Sequence, residues 1–163
     1  MFLRTDGQIQ IMRPIHSLLR DSTNVSILQA MTVDPRISTA DLARAVGMSS
    51  PAVRERVQRL EDAGIIRGVR LDVDPALLGY PVAVMVRIRP MPGQLPKIIE
   101  VARADPRVVE CCRITGEDCF VLRLHLEGLE VLDQVLDPFL VYGQTTTSII
   151  QSWPVPPRSL PLG

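Results

Sequence analysis

The sequence predicts an α+β protein: an N-terminal winged helix-turn-helix followed by a ferredoxin-like β-α-β-β-α-β domain. Three observations predict it. Between Ser38 and Ile66 two short helical patterns meet at Gly47, and the second carries Arg54, Arg56 and Arg59. From Val82 onward the apolar period changes from helical to two. The segments after that change then follow the order strand, helix, strand, strand, helix, strand.

The elements follow in chain order. Residues 1–20 show no clear period and contain Pro14, so a flexible arm is expected; Met12 is an alternative start of translation. Asp21-Ser-Thr-Asn24 supplies helix caps, Val25, Leu28 and Met31 follow at helical spacing, and Asp34-Pro35 ends this first helix. Ser38 with Asp41 three residues on resembles a capping box, and Leu42, Ala43 and Val46 share the face of a short second helix. Gly47 suits the left-handed residue of a sharp helix–helix turn. Ser49, Ser50 and Pro51 then open a third helix with Val53, Val57 and Leu60 on its buried stripe. Arg54 and Gln58 fall on the opposite side. Gly64 stops this helix, Ile65–Val73 reads as an extended strand, and Asp74–Gly79 as a one-turn helix or linker. The helix-turn-helix thus spans 21–66, a strand and linker 67–79, the second domain 80–155, and a tail 156–163.

In the second domain Val82, Val84, Val86 and Ile88 alternate with Ala83, Met85, Arg87 and Arg89. Leu95, Ile98, Ile99 and Ala102 make a helical stripe ending before Asp105-Pro106. Val108–Thr115 and Cys119–Leu126 read as a hairpin around Gly116-Glu117-Asp118. Leu129, Leu132, Val135 and Leu136 form a helix stopped at Asp137-Pro138, and Thr145–Trp153 is the last strand. Helices cover one face of such a sheet; Ala83 and Met85 on the other predict burial against a second copy.

Charge separates the halves. Net charge is zero over 163 residues, yet 36–70 carries seven Arg against four acids, while 71–163 carries eight basic and eleven acidic residues. A basic half joined to an acidic half suits a DNA-binding module attached to a different one. No apolar run reaches membrane-spanning length and no secretory signal is evident, so a cytoplasmic protein is expected. Cys111, Cys112 and Cys119 lack the separated pairs of a zinc site; they read as buried reduced thiols, and no metal or cofactor is expected.

The chain resembles the Lrp/AsnC (feast/famine) family of transcription regulators over about Asp21–Trp153. The resemblance rests on Asp21-x-x-Asn24-x-x-Ile27-Leu28, Asp34-x-Arg36-x-Ser38-x-x-x-Leu42-Ala43, Val46-Gly47-Met48-Ser49, Val53-x-x-Arg56-Val57-x-Arg59-Leu60-Glu61-x-x-Gly64-Ile65-Ile66, Leu78-Gly79, Val109-Glu110 and Thr115-Gly116. It implies double-stranded DNA as partner, homodimers often assembled into octamers, and a small-molecule effector, usually an amino acid. Carried onto this chain, Ser38, Ser49, Ser50, Arg54, Arg56 and Gln58 are expected near DNA, with Arg59 or Arg67 toward the backbone. The effector loop maps to Thr115, Gly116, Glu117, Asp118 and Cys119, with Thr145 and Thr147 contributing from a neighbouring strand. The family commonly has Asp where this chain has Asn24. Its loop often runs Gly-x-x-Asp, whereas the fourth position here is Cys119, which leaves the ligand's identity open.

Blander readings stand beside these. Arg56 lies two positions from Arg54 and serves either DNA or an internal ion pair. Thr115–Asp118 is either an effector loop or a plain hairpin turn. His125 reads as a packed or surface histidine, and Trp153 as a plug where the tail leaves the sheet. A porphyrin-processing enzyme of similar architecture is the competing class, but only two histidines exist and neither lies in a polar cluster, so no enzyme is expected. A metabolite-binding protein without DNA regulation is the remaining alternative.

Overall fold

A computed structural model describes residues 17–162. The expected arm and the alternative start at Met12 fall mostly outside these residues; residues 17–20 are helical. The chain divides into two compact units: one ends at Leu71 and takes up the chain again from Pro157, and the other is Asp72–Pro156.

After the helical stretch 17–20, the described residues of the first unit form α1 (Ser22–Val33), α2 (Thr39–Ala45) and α3 (Ser50–Asp62). Asp21 caps α1 by accepting from the Thr23 amide at 2.9 Å. Ser38 caps α2, accepting from the Asp41 amide at 3.1 Å; the serine half of the expected capping box forms, while the Asp41 carboxylate takes the Ser38 hydroxyl at 2.5 Å instead of the Ser38 amide. At the end of α2, Gly47 takes φ +66° while its amide bonds Arg44 and the Met48 amide bonds Ala43. That Schellman closure satisfies the last carbonyls and reverses the chain into α3 within four residues. Ile27, Leu28, Leu42, Ala43, Val53 and Leu60 form the core, with Val57 and Leu162 packed against it.

Beyond α3 the expected strand over Ile65–Val73 does not form. Val69, Leu71 and Val73 alternate as a strand would, but all three are exposed and the segment joins no ladder. A strand needs a partner for its backbone groups, and none of the described segments pairs with this one. A turn over 75–79 follows, closed by the Tyr80 amide on the Pro75 carbonyl at 2.8 Å.

The second unit runs β1 (Val82–Pro90), α4 (Leu95–Ala104), β2 (Val108–Arg113), β3 (Phe120–Leu126), a 3-10 turn (Leu129–Val131), α5 (Leu132–Leu140) and β4 (Gly143–Ile149). The sheet order is β2-β3-β1-β4, with every pairing antiparallel, as the ferredoxin-like expectation requires. Val84, Val86 and Ile88 face Leu124, Leu122 and Phe120, and these pack under Ile98, Ala102, Val135, Leu136 and Phe139.

Two boundaries differ from expectation. The last helix passes through Pro138 to Leu140. Phe139 is fully buried, which contributes about 2–3 kcal/mol, comparable to the roughly 3 kcal/mol that an interior proline costs. β4 spans Gly143–Ile149 rather than reaching Trp153, because its partner β1 begins only at Val82, after Pro81. Its start is fixed by Gly143, where a Cβ would lie 2.6 Å from the Arg89 carbonyl. The uncovered face is mixed, as the alternation that puts Ala83 and Met85 on one side with Arg87 and Arg89 requires. Ala83 and Met85 share it with Arg87, Arg89, Arg123 and His125, and Trp153 lies against Arg123 with 5.4 Å between guanidinium carbon and ring centre.

Candidate nucleic-acid interface and effector loop

On α3 the three arginines divide by their partners. Arg54 is exposed and makes no hydrogen bond or ion pair among the described residues. Arg59 pairs with Glu55 one turn earlier at 2.5 Å, with both side chains about two-thirds exposed. Arg56 turns inward, and its Nη1 donates to Asp21 at 2.6 Å and to the Asn24 side-chain Oδ1 at 2.8 Å. Of the two readings of Arg56, the geometry gives the internal ion pair. Asn24 is only 3 % exposed and donates in turn to the Leu18 carbonyl at 3.0 Å. Asn24 is therefore a structural link between α1 and α3. The Arg56 hydrogen bond holds the Asp21 carboxyl below its ordinary value against the opposing effect of desolvation.

The remaining expected DNA residues sort by what occupies them. The Ser38 hydroxyl is engaged in the capping box, which removes it from a free contact surface. Ser49 sits at the cap of α3 but makes no capping hydrogen bond with its side chain, so its hydroxyl stays available beside the positive end of the helix dipole. Ser50 is half-buried in the first turn and Pro51 follows it. Gln58 donates to Asp62 at 3.0 Å along the helix. Arg67 is exposed and makes no hydrogen bond or ion pair among the described residues.

Thr115–Asp118 forms the tip of the β2–β3 hairpin, closed by the Ile114 amide on the Cys119 carbonyl at 2.8 Å. Its two carboxylates are not free. Glu117 bonds Arg89, and Asp118 lies 3.8 Å from both Arg87 and Arg89. Arg87 and Arg89 were not among the expected site residues. Their signal was an Arg-x-Arg alternation at the end of a strand, readable only once the hairpin is known to fold back over β1. The Cys119 thiol rests 3.7 Å from the carbonyl oxygens of Gly116 and Glu117. Thr145 and Thr147 do not join this group. They oppose Ile88 and Val86, hence stand on the helix side of the sheet, and β4 lies two strands from β3, about 10 Å away.

The thiols are free but not buried as expected: Cys111 and Cys112 are exposed and Cys119 is half-buried. The reason is that β2 is an edge strand with almost no cover. His125 is half-buried on the uncovered face. Burial and then Arg123 push its pKa down, while a hydrogen bond to the Tyr80 backbone works the other way. Among the described residues no helix is long and apolar enough to cross a membrane.

Comparison with known proteins agrees with this division. A family model described as "Winged helix-turn-helix DNA-binding" matches residues 20–67, and one described as "Lrp/AsnC ligand binding domain" matches 83–160. The HTH-type transcriptional regulator LrpC of Bacillus subtilis is 32% identical over 132 residues, which is 81% of this chain and 92% of LrpC. The solved structure of that protein aligns with a TM-score of 0.76, covering 81% of this chain and 94% of the other. Regulatory protein AsnC of Escherichia coli is 29% identical over 127 residues, covering 75% of this chain and 81% of AsnC. A transcriptional regulator of Neisseria meningitidis, solved as its L-Met complex, is 25% identical with a TM-score of 0.79, covering 87% of this chain and 96% of the other. The chain belongs to the Lrp/AsnC family, and is a DNA-binding transcription regulator with a helix-turn-helix in its first half and a small-molecule-binding domain in its second.

Proposed function

We propose that α3 enters the major groove with Ser49, Ser50 and Arg54 toward the bases, while Arg59 and Arg67 meet phosphates. The observation that carries this assignment is Arg54, an exposed guanidinium with no partner among the described residues on the outer side of that helix. A guanidinium already held by a carboxylate must break that bond to reach DNA; Arg54 has none to break. Gln58 is a weaker contributor because Asp62 holds its amide. Arg56 acts indirectly, by fixing α3 against α1.

The protein works as a cytoplasmic homodimer, assembled further into octamers. Two features support self-association: the uncovered sheet face, and the unpaired Val69–Val73 segment with its exposed apolar residues. Dimers then place recognition helices on one DNA face about 34 Å apart. The effector is an amino acid held at the Thr115–Cys119 loop; the L-Met complex of the Neisseria relative supports the amino-acid class. Effector coupling of about 1–3 kcal/mol is enough to shift occupancy between spacings.

A mobility-shift titration with promoter DNA, repeated across salt concentrations, tests the DNA assignment. Binding to that DNA no tighter than to random duplex overturns it. Thermal-shift screening against the twenty amino acids tests the effector. A ligand at a hundred times its dissociation constant adds about 2.7 kcal/mol, and a flat response to all twenty removes the amino-acid reading.

A further inference from the structure

A wide-open surface cavity, a groove of about 540 Å³, runs over the second unit, lined entirely by residues of Asp72–Pro156. That volume lies within the range that small-molecule sites occupy. It is distant from the hairpin loop. Glu127, on its rim, follows Leu126, which pairs with Val82 at the start of β1; the loop precedes Phe120, which pairs with Ile88. Six strand positions separate the two, or about 20 Å. Whatever the cavity binds does not touch the loop assigned to the effector.

The lining has two chemical parts. Val101 of α4, Val135 and Pro138 of α5, and Pro106 between α4 and β2 give it an apolar floor. Asp105, Arg107, Glu127 and the Tyr80 ring give it a polar side. Within that side Asp105 and Arg107 neutralise each other. The guanidinium donates from Nε at 2.9 Å and from Nη2 at 2.8 Å, and both side chains are less than a quarter exposed. Glu127 is different. It makes no hydrogen bond or ion pair among the described residues and acts on Arg107 only through its field. The charge of the three groups sums to minus one, and the uncompensated share sits on Glu127. Gln134 and Pro138 add to this. Both line the cavity, and Pro138 has no amide hydrogen to give the Gln134 carbonyl one turn earlier.

We infer that this cavity is a second small-molecule site, which takes an organic cation with an apolar body: a primary ammonium on Glu127 beside the Tyr80 ring, with a hydrocarbon group on Val101, Val135 and Pro138. An ammonium supplies the missing charge and can meet an aromatic face as well as a carboxylate. A free carboxylate ligand finds no open cation there, because Asp105 already occupies Arg107 in two-point fashion. The ligand class is therefore the apolar amine. Tyr80 and Pro81 join the 75–79 turn to β1, so occupancy beside Tyr80 bears on the stretch of chain that enters the sheet.

The test is calorimetric titration of the full-length protein with phenethylamine, isoamylamine and, as a charge control, phenylpropionate. The amines bind at millimolar concentration and the acid does not. Glu127→Gln weakens amine binding by about tenfold, the loss of one charge-assisted bond. Ala104→Trp, which fills the cavity from an exposed position, abolishes it, and Asp118→Asn in the hairpin loop leaves it unchanged. No amine binding to the wild type overturns the inference. So does binding of the acid as tight as the amine, and so does an unchanged affinity in both Glu127→Gln and Ala104→Trp. Because Asp118→Asn reports on the other loop, failure of the effector assignment is read separately.

Discussion

Arg56 of α3 donates to Asp21 at 2.6 Å, and Asp21 is the residue that caps α1. One carboxylate thus starts the first helix and anchors the third. The same guanidinium supplies the hydrogen bond for the oxygen of Asn24, which is almost fully buried. Replacing Arg56 by Ala leaves that oxygen without its donor, a loss of about 1–3 kcal/mol. Chemical denaturation of Arg56→Ala is expected to show a lower midpoint for the first unit at unchanged secondary structure. A variant that keeps the wild-type midpoint yet loses DNA makes Arg56 a contact residue instead.

Arg54→Ala is expected to behave in the opposite way. Its side chain holds nothing together in the described residues, so the denaturation midpoint stays put. DNA affinity falls. If Arg54 neutralises one phosphate, the slope of log affinity against log salt drops by about 0.9. If it reads a base instead, the slope is retained and the preference for operator over random duplex shrinks by about 1–3 kcal/mol. Anisotropy titrations at several salt concentrations distinguish the two, and unchanged affinity throughout removes Arg54 from the interface.

What the sequence made legible is local. Ser38 with Asp41, Gly47 after Val46, and Pro51 at the start of α3 each announce a helix end within a few residues, and the structure keeps all three. The β-α-β-β-α-β order was legible for the same reason, since each period is set by its own segment. Features that depend on a partner segment were not. Thr145 and Thr147 stand on the helix side because of their register with Ile88 and Val86, a long-range fact that their own alternation leaves open. The clasp of Arg87 and Arg89 on Glu117 and Asp118 joins residues some thirty positions apart. Ile65–Val73 carries a strand-like alternation, but whether it pairs depends on a neighbour that the described residues do not supply. Pro138 signalled a stop locally and was overridden by the burial of Phe139, a tertiary effect.

Asp21 also predicts a pH response. Its folded pKa lies below the ordinary carboxyl value of 3.8, chiefly through the hydrogen bond from Arg56. The unfolded chain therefore binds the proton more readily than the folded one near that pH. The stability that Asp21 contributes is complete above the unfolded value and is lost as pH falls from about 3.8 toward the lower folded pKa. In Asp21→Asn this part of the acid dependence is expected to vanish. Parallel denaturation series from pH 6 to pH 2.5 check it, and identical slopes for the two proteins contradict it.

The clasp over the hairpin tip gives the last prediction. Glu117 bonds Arg89, and Asp118 sits 3.8 Å from each of Arg87 and Arg89, with the arginine side chains about half exposed. Exposed pairs of this kind are individually weak, at about 0–1 kcal/mol, because water and salt screen them. These contacts nonetheless hold the loop on one side, beside the Ile114–Cys119 backbone bond and the Cys119 thiol, which lies 3.7 Å from the Gly116 and Glu117 carbonyls. Arg89→Ala is therefore expected to speed amide exchange at Glu117 and Asp118 by up to about fivefold, the equivalent of one kcal/mol, while exchange within β1 and β3 stays slow. High salt applied to the wild type should reproduce part of the effect, since screening weakens the same pairs. If exchange at the tip is the same in wild type and variant, the backbone bond alone shapes the loop. In that case Arg89 is free to meet the carboxylate of an incoming effector, and the variant's loss appears in ligand affinity rather than in loop motion.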